Sequence, residues 1–268
     1  ISRPSEIQPV EVTVVREAIE LTSVSARVHG DGIGVIQLES FDARTVENLR
    51  QAIAELRQEG MEGLVLDIRY NTGGLVDAAV GVVSEFIESG NAFTIREGDG
   101  TETPYEVTGE GSAYDIPMVV LTNGFTASAA EILTGAVQDH DRATVVGTTT
   151  FGKGSVSILF QLDSGAGFNV TTARWLTPNG RVIEGEGLAP DIEIASGLEP
   201  PAEDEISSLT RSLCETFEDE RQTLEDRPDT AAAIEALCSA GPEDTPATGE
   251  DVQMEVAVET LRELMQGN

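Results

Sequence analysis

Lys153 is the only lysine in a chain of 268 residues that otherwise uses arginine for positive charge, and it stands between two glycines in the stretch TFGKGSVS. A lysine can serve as a general base where an arginine cannot, because arginine stays protonated under ordinary conditions. To do so it must be neutral, which requires its usual pKa of about 10.4 to be lowered by burial or by a neighbouring cation. A partner for such a base lies in FTASAAE, residues 125–131, where Ser128 opens a helical pattern. A hydroxyl there sits in the field of the helix N-terminus, and the backbone N–H of Ala129 points into the same space. In NTGG, Gly73 and Gly74 let the main chain approach closely and bring a second N–H. A hydroxyl, an amine and two converging N–H donors are the parts of an acyl-transfer site. Each part also has a plainer reading. SAAE is a capping box in which Ser128 satisfies helix-end donors, Lys153 is a loop lysine at the surface, and NTGG is a turn.

The surrounding pattern says how these residues are positioned. QPVEVTVV (8–15) and GVIQLESF (34–41) read as strands, and TVENLRQAIAELRQEG as an amphipathic helix with Val46, Leu49, Ile53 and Leu56 on one face and Gly60 as a stop. GLVLDI (63–68) is a short continuous apolar run, the mark of a strand buried on both faces. It leads into RYNTGG and a helical stretch from residue 75. The same grammar recurs in PMVVLT (117–122), the loop NGFTAS, the helix AAEILTGAVQDH and the strand ATVVG (143–147). Repeated strand, glycine-bearing turn and helix indicate βαβ units, which place both turns at the C-terminal ends of neighbouring strands. Beyond residue 155, SVSILFQL and GFNVTTARW flank the turn-rich DSGAG as a hairpin, and PDIEI is a closing strand.

Composition removes several classes of function. A formal charge of −32 opposes binding to nucleic acid or to an anionic membrane surface. No apolar run approaches the length of a membrane span. Residues 199–268 carry nineteen acidic residues against four arginines, with three helical stretches separated by solvated linkers. Both cysteines, Cys214 and Cys238, fall in this tail, either as a disulfide suited to an extracytoplasmic location or as two free thiols. No Cys/His cluster suggests a metal, and no phosphate-binding loop is present, since Gly152-Lys153 lacks the upstream glycine. His29 (VHGDG) and His140 (QDHDR) read as loop histidines.

Four ordered blocks, LVLDIRYNTGG, NGFTASAAEILTGAVQDHDRATVVG, TFGKGSV and TTARWLTPNGRVIEGEGLAPDI, resemble the carboxyl-terminal processing peptidases, or tail-specific proteases. These are Ser/Lys serine endopeptidases. The resemblance spans residues 10–194 and implies an α/β fold with a crotonase-like ββα core and a mixed sheet, plus a C-terminal helical appendage. It implies Ser128 as nucleophile, Lys153 as base at the family's 25-residue interval, and the backbones of Gly74 and Ala129 as oxyanion donors. Where the family commonly has a glutamine that orients the lysine, this chain has Ser157. Residues 1–15 resemble the last strands of a PDZ domain, so the chain reads as a piece of a longer one, with a core over 16–197 and an acidic helical region over 198–268. The implied substrate is an unfolded or C-terminal polypeptide segment, without cofactor, metal, nucleic acid or membrane insertion. The implied location is periplasmic, cell-envelope or secreted, and the helices of the acidic tail are candidates either to pack on the core or to form a homo-oligomer. The alternative is a weakened or inactive peptide-binding homologue of the same fold.

Overall fold

The computed structural model describes residues 22–162, 165–195 and 251–266. The strand expected over 8–15, the PDZ-like remnant, the first two tail helices, Cys214 and Cys238 lie outside the described residues. Ten strands and four helices are formed by the described residues: β1 (Val24–Gly30), β2 (Ile33–Leu38), α1 (Thr45–Gln58), β3 (Gly63–Asp67), α2 (Val76–Phe86), β4 (Asn91–Glu97), β5 (Glu102–Glu106), β6 (Met118–Thr122), α3 (Ala129–Asp139), β7 (Thr144–Gly147), β8 (Ser155–Gln161), β9 (Gly167–Leu176), β10 (Ile192–Glu193) and α4 (Val252–Gln266).

Six strands form one mixed sheet in the order β1-β2-β3-β6-β7-β10, antiparallel between β1 and β2 and parallel elsewhere. Their apolar runs are explained by burial on both faces. Ile36, Leu38, Leu64, Leu66, Met118, Val120 and Val145 face a core built with α1, α2 and α3. The alternate residues Ile33, Val35, Val65, Val119, Leu121 and Val146 face a second core completed by Met254, Ala257, Val258 and Leu261 of α4. Successive strand side chains point to opposite faces, so a strand apolar at every position requires a layer on each side. The C-terminal helix supplies the second layer. It approaches closely over Gly63, where an added Cβ would fall 2.7 Å from Met265 Sδ.

The remaining strands form an antiparallel sheet in the order β5-β4-β9-β8. The β4–β5 hairpin is not among the sequence-expected elements. Its signal was Asp99-Gly100, the turn at which Gly100 takes φ 90° and Glu97 N–H reaches Thr101 O at 2.9 Å. Strand β1 was likewise not expected, and it corrects the placement of His29, which is a strand residue and not a loop one.

The start of α4 is fixed by charge as well as by packing. Arg69, just beyond β3, donates from Nη1 and Nη2 to both carboxylate oxygens of Asp251, at 2.8 and 2.7 Å, and from Nε and Nη2 to Asp67. Burial works to lower the Arg69 pKa, but the bonds to Asp67 and Asp251 outweigh it and raise it. Burial would raise the Asp251 carboxyl, yet the hydrogen bonds and charge of Arg69, with Arg27 adding, hold it below the usual carboxylate range.

Two outcomes follow for stability. Leu261 is fully buried against the sheet, so Leu261→Ala should cost about 3 kcal/mol in denaturant unfolding. A carboxyl whose folded pKa is depressed stabilises above its unfolded value, about 4, and ceases to do so as pH falls through the lower folded value. The docking of α4 should therefore weaken below about pH 4 in hydrogen exchange, and Asp251→Asn should remove that part of the pH dependence.

Candidate active site

Strands β3 and β6 are adjacent and parallel, so the loops leaving their C-terminal ends are neighbours. The first is Ile68–Gly74 and the second is Asn123–Ser128. They are stitched together by short polar contacts. Asn123 Oδ1 accepts from Tyr70 N at 3.0 Å, Ala127 N donates to Asn71 O at 2.9 Å, and Thr126 Oγ1 donates to Ile68 O at 3.0 Å. Buried Asn71 donates from Nδ2 to Leu38 O at 2.7 Å, while its Oδ1 accepts from Gly73 N at 2.9 Å.

Ser128 immediately precedes α3, at φ 57° and ψ −116°. A side-chain-bearing residue reaches this region only at a cost of order 1–3 kcal/mol, and the surrounding structure has to hold it there. The Gly73-Gly74 turn lies directly against it. A Cβ on Gly73, which sits at φ 100°, would fall 2.9 Å from both Ala129 N and Ser128 Cβ. A Cβ on Gly74, at φ 148°, would overlap the Phe41 carbonyl. Gly73 N–H is taken by Asn71, whereas the N–H groups of Gly74 and Ala129 have no hydrogen-bond partner among the described residues. The loops thus leave two unspent backbone donors near the strained serine.

The lysine segment is brought in by Glu131, the third residue of α3, which is fully buried. Its Oε2 accepts from Ser128 N at 2.8 Å and from Lys153 N at 2.8 Å. Its Oε1 accepts from Thr150 Oγ1 and Gly152 N, both at 2.6 Å. One oxygen therefore binds the main chain of both Ser128 and Lys153, and their nitrogens lie no further apart than twice that distance. The capping-box relation of Ser128 and Glu131 is real, and its carboxylate half extends beyond the helix to clamp residues 150–153. Trp175 Nε1 adds a bond to Lys153 O at 3.0 Å.

Not every candidate is connected. The Lys153 side chain is exposed, and no hydrogen bond joins its Nζ to Ser128 Oγ. Ser157 Oγ is engaged with Thr171 Oγ1 at 3.2 Å across the β8–β9 pair. No bond links it to Lys153. His140 Nε2 lies 2.8 Å from Asn91 O, and neither histidine is bonded to Ser128. Apolar side chains rim the site. Tyr70 and Phe125, 60% and 46% exposed, stack with ring centroids 5.6 Å apart, and Phe151 is 62% exposed. Sequence reasoning gave Glu131 only its local capping role and assigned nothing to Asn71, Asn123 or Thr126. The signal available for Glu131 was an acid at the third helical position directly behind a candidate nucleophile.

Fold and site together define a mixed α/β protein whose reactive candidates gather at the C-terminal edge of its parallel strands. Comparison with known proteins supplies the family. The model of peptidase family S41 matches residues 32–194. The carboxyl-terminal-processing protease of Synechocystis sp. is 40% identical over 188 residues, covering 68% of this chain and 44% of that protein. The carboxy-terminal-processing protease of Bartonella bacilliformis is 37% identical over 203 residues, covering 74% and 46%. The solved structure of the photosystem II D1 C-terminal processing protease superposes with a TM-score of 0.61 at 34% identity, covering 67% of this chain and 50% of that one. The chain belongs to peptidase family S41. It spans less than half the length of these two curated relatives.

Glu131→Gln tests the clamp. An amide sets an N–H₂ donor against N–H donors, and buried bonds to a charged acceptor contribute about 1.5–3 kcal/mol each. The variant should lose about 3 kcal/mol in chemical denaturation. Its residues 150–153 should exchange amide protons faster than those of the wild type.

Proposed function

We propose that this chain carries the peptidase core of a serine endopeptidase in which Ser128 is the nucleophile and Lys153 the general base. The observation that carries the reading is the single Glu131 oxygen shared by Ser128 N and Lys153 N. The backbone nitrogens of these residues, 25 apart in sequence, thus share one acceptor, each at 2.8 Å, which supports the reading. In the reaction, Ser128 Oγ attacks a scissile carbonyl carbon while the Lys153 amine accepts the hydroxyl proton at Nζ. The tetrahedral oxyanion is held by the N–H groups of Gly74 and Ala129, both without a hydrogen-bond partner among the described residues. Collapse of the intermediate expels the amine, which takes its proton from Lys153, and water then hydrolyses the acyl-enzyme with Lys153 again as base. Such donors are effective because they are fixed before charge develops, and loss of one costs on the order of 3 kcal/mol in other proteases.

The substrate class is an extended, unfolded polypeptide. Strand β8 starts two residues past Lys153 and is an edge of its sheet. Residues 154–162, GSVSILFQL, contain no charge in a strongly acidic chain. Exposed edges protected against pairing carry lysine, proline or inward charge, and β8 carries none of these. Its unpaired backbone groups, with Leu159 70% exposed, suit strand addition by an unfolded segment with apolar side chains. The relatives are named for processing carboxyl termini, and one from Tetradesmus obliquus is described as chloroplastic. We extend to this chain an action on C-terminal segments outside the cytoplasm. No described helix is long and apolar enough to cross a membrane.

Cleavage of an unstructured protein by wild type, Ser128→Ala and Lys153→Arg tests the dyad. Wild type should cleave, and each variant should lose about 10³-fold or more, since each removes a group the covalent step requires. Equal cleavage by all three would overturn the assignment. The second reading, a weakened peptide-binding homologue, draws on Ser157 being bonded to Thr171 and not to Lys153. It predicts no cleavage by wild type and recovery in Ser157→Gln.

A further inference from the structure

The loop Ile68–Gly74 delivers the proposed oxyanion donor Gly74, and it holds a conformation it would not adopt alone. Tyr70 sits at φ 63°, a left-handed value that is unfavourable for a bulky residue. Such a conformation persists only when contacts over-determine it. On the Ser128 side the contacts are those made by Asn123, Thr126, Ala127 and Asn71. On the opposite side the loop is held through Arg69, whose side chain is only 11% exposed.

Arg69 binds two carboxylates, and they do different things. Asp67 belongs to the strand that leads into the loop, accepts the Arg69 backbone N–H at 3.1 Å, and so ties the loop only to itself. Asp251 lies 182 residues further along the chain, at the start of α4, and receives both Nη groups of Arg69. Gln253 extends the attachment, accepting from Arg69 Nη1 at 3.2 Å and donating to Ile194 O at 2.8 Å. A two-point guanidinium–carboxylate bond fixes direction as well as distance. The C-terminal helix thereby reaches around the sheet to the back of the oxyanion loop.

We infer that Asp251 is a positioning residue for the reaction, holding the Gly73-Gly74 backbone against Ser128 through Arg69. The inference rests on the proposed peptidase mechanism. Without Asp251, Arg69 keeps its fork to Asp67, so the buried cation remains paired while the loop loses its outer anchor. The loss should fall on the chemical step, since the donor aimed at the oxyanion matters more in the transition state than in substrate binding.

The test compares the whole chain as wild type, Asp251→Ala, Asp251→Asn and Asp251→Glu, with Arg262→Ala as control. Arg262 pairs with Asp31 at 2.8 Å and anchors α4 far from the loop. The readouts are kcat and KM on an unfolded polypeptide, and amide exchange at residues 69–74. Asp251→Ala should lower kcat by about tenfold or more with KM changed less than about twofold, and should speed exchange at Gly73 and Gly74. Asp251→Asn, which keeps an acceptor, should fall between, Asp251→Glu should recover much of the loss, and Arg262→Ala should change neither readout. Unchanged kcat and loop exchange in Asp251→Ala, or an equal loss in Arg262→Ala, would overturn the inference. If wild type cleaves nothing, the peptidase reading fails, and loop exchange alone then decides whether Asp251 positions the loop. Should Asp251→Ala fail to fold, Asp251→Asn against Asp251→Glu decides the same question.

Discussion

A buried carboxylate is the interaction on which the candidate site depends. Taking the Glu131 side chain out of water would cost several kcal/mol if its oxygens lacked partners. Here four donors converge on it, three of them backbone N–H groups from Ser128, Gly152 and Lys153. Its position in the first turn of α3 adds the favourable field of the helix N-terminus. The requirement to satisfy this one group draws the loop before α3 and the loop before β8 to a common point. It also holds Ser128 in a backbone conformation that would otherwise relax.

The sheet imposes the second constraint. Strands apolar on both faces must be covered on both, and α1–α3 cover only one. The cover for the other comes from α4, from the far end of the chain. Once there, its first residues meet the C-terminal edge of β3, where the loop proposed to supply an oxyanion donor begins. A helix required for burial is thus placed where its terminal carboxylate can act on the site. The exposed side of the structure has the opposite character, with an uncharged edge strand and stacked aromatic rings left open beside Ser128 and Lys153.

The chain's local signals were largely legible. Period-2 and continuous apolar runs marked β2, β3, β6 and β7, helical spacing marked α1 and α3, and glycine-rich turns marked the loops that carry the site. Strand β1 was missed although Val24, Ala26 and Val28 alternate with polar residues, and the β4–β5 hairpin because the exposed Glu102–Glu106 strand carries little apolar periodicity and must be recognised from its turn. Ser128, Ala129, Gly74 and Lys153 were legible as residue types whose chemistry converges, and Glu131 only as a local cap.

By itself, then, the sequence determined which segments would be strands buried on two faces, where the turns fall, and that one lysine stands where arginine serves everywhere else. Tertiary structure decided the rest. That Glu131 clamps Lys153 as well as Ser128, that Ser157 turns to Thr171, and that Asp251 reaches Arg69 are contacts between residues from 14 to 182 positions apart. Pairings of that range follow from strand order and from which helix covers which face, and a pattern that repeats every two or four residues holds no record of them.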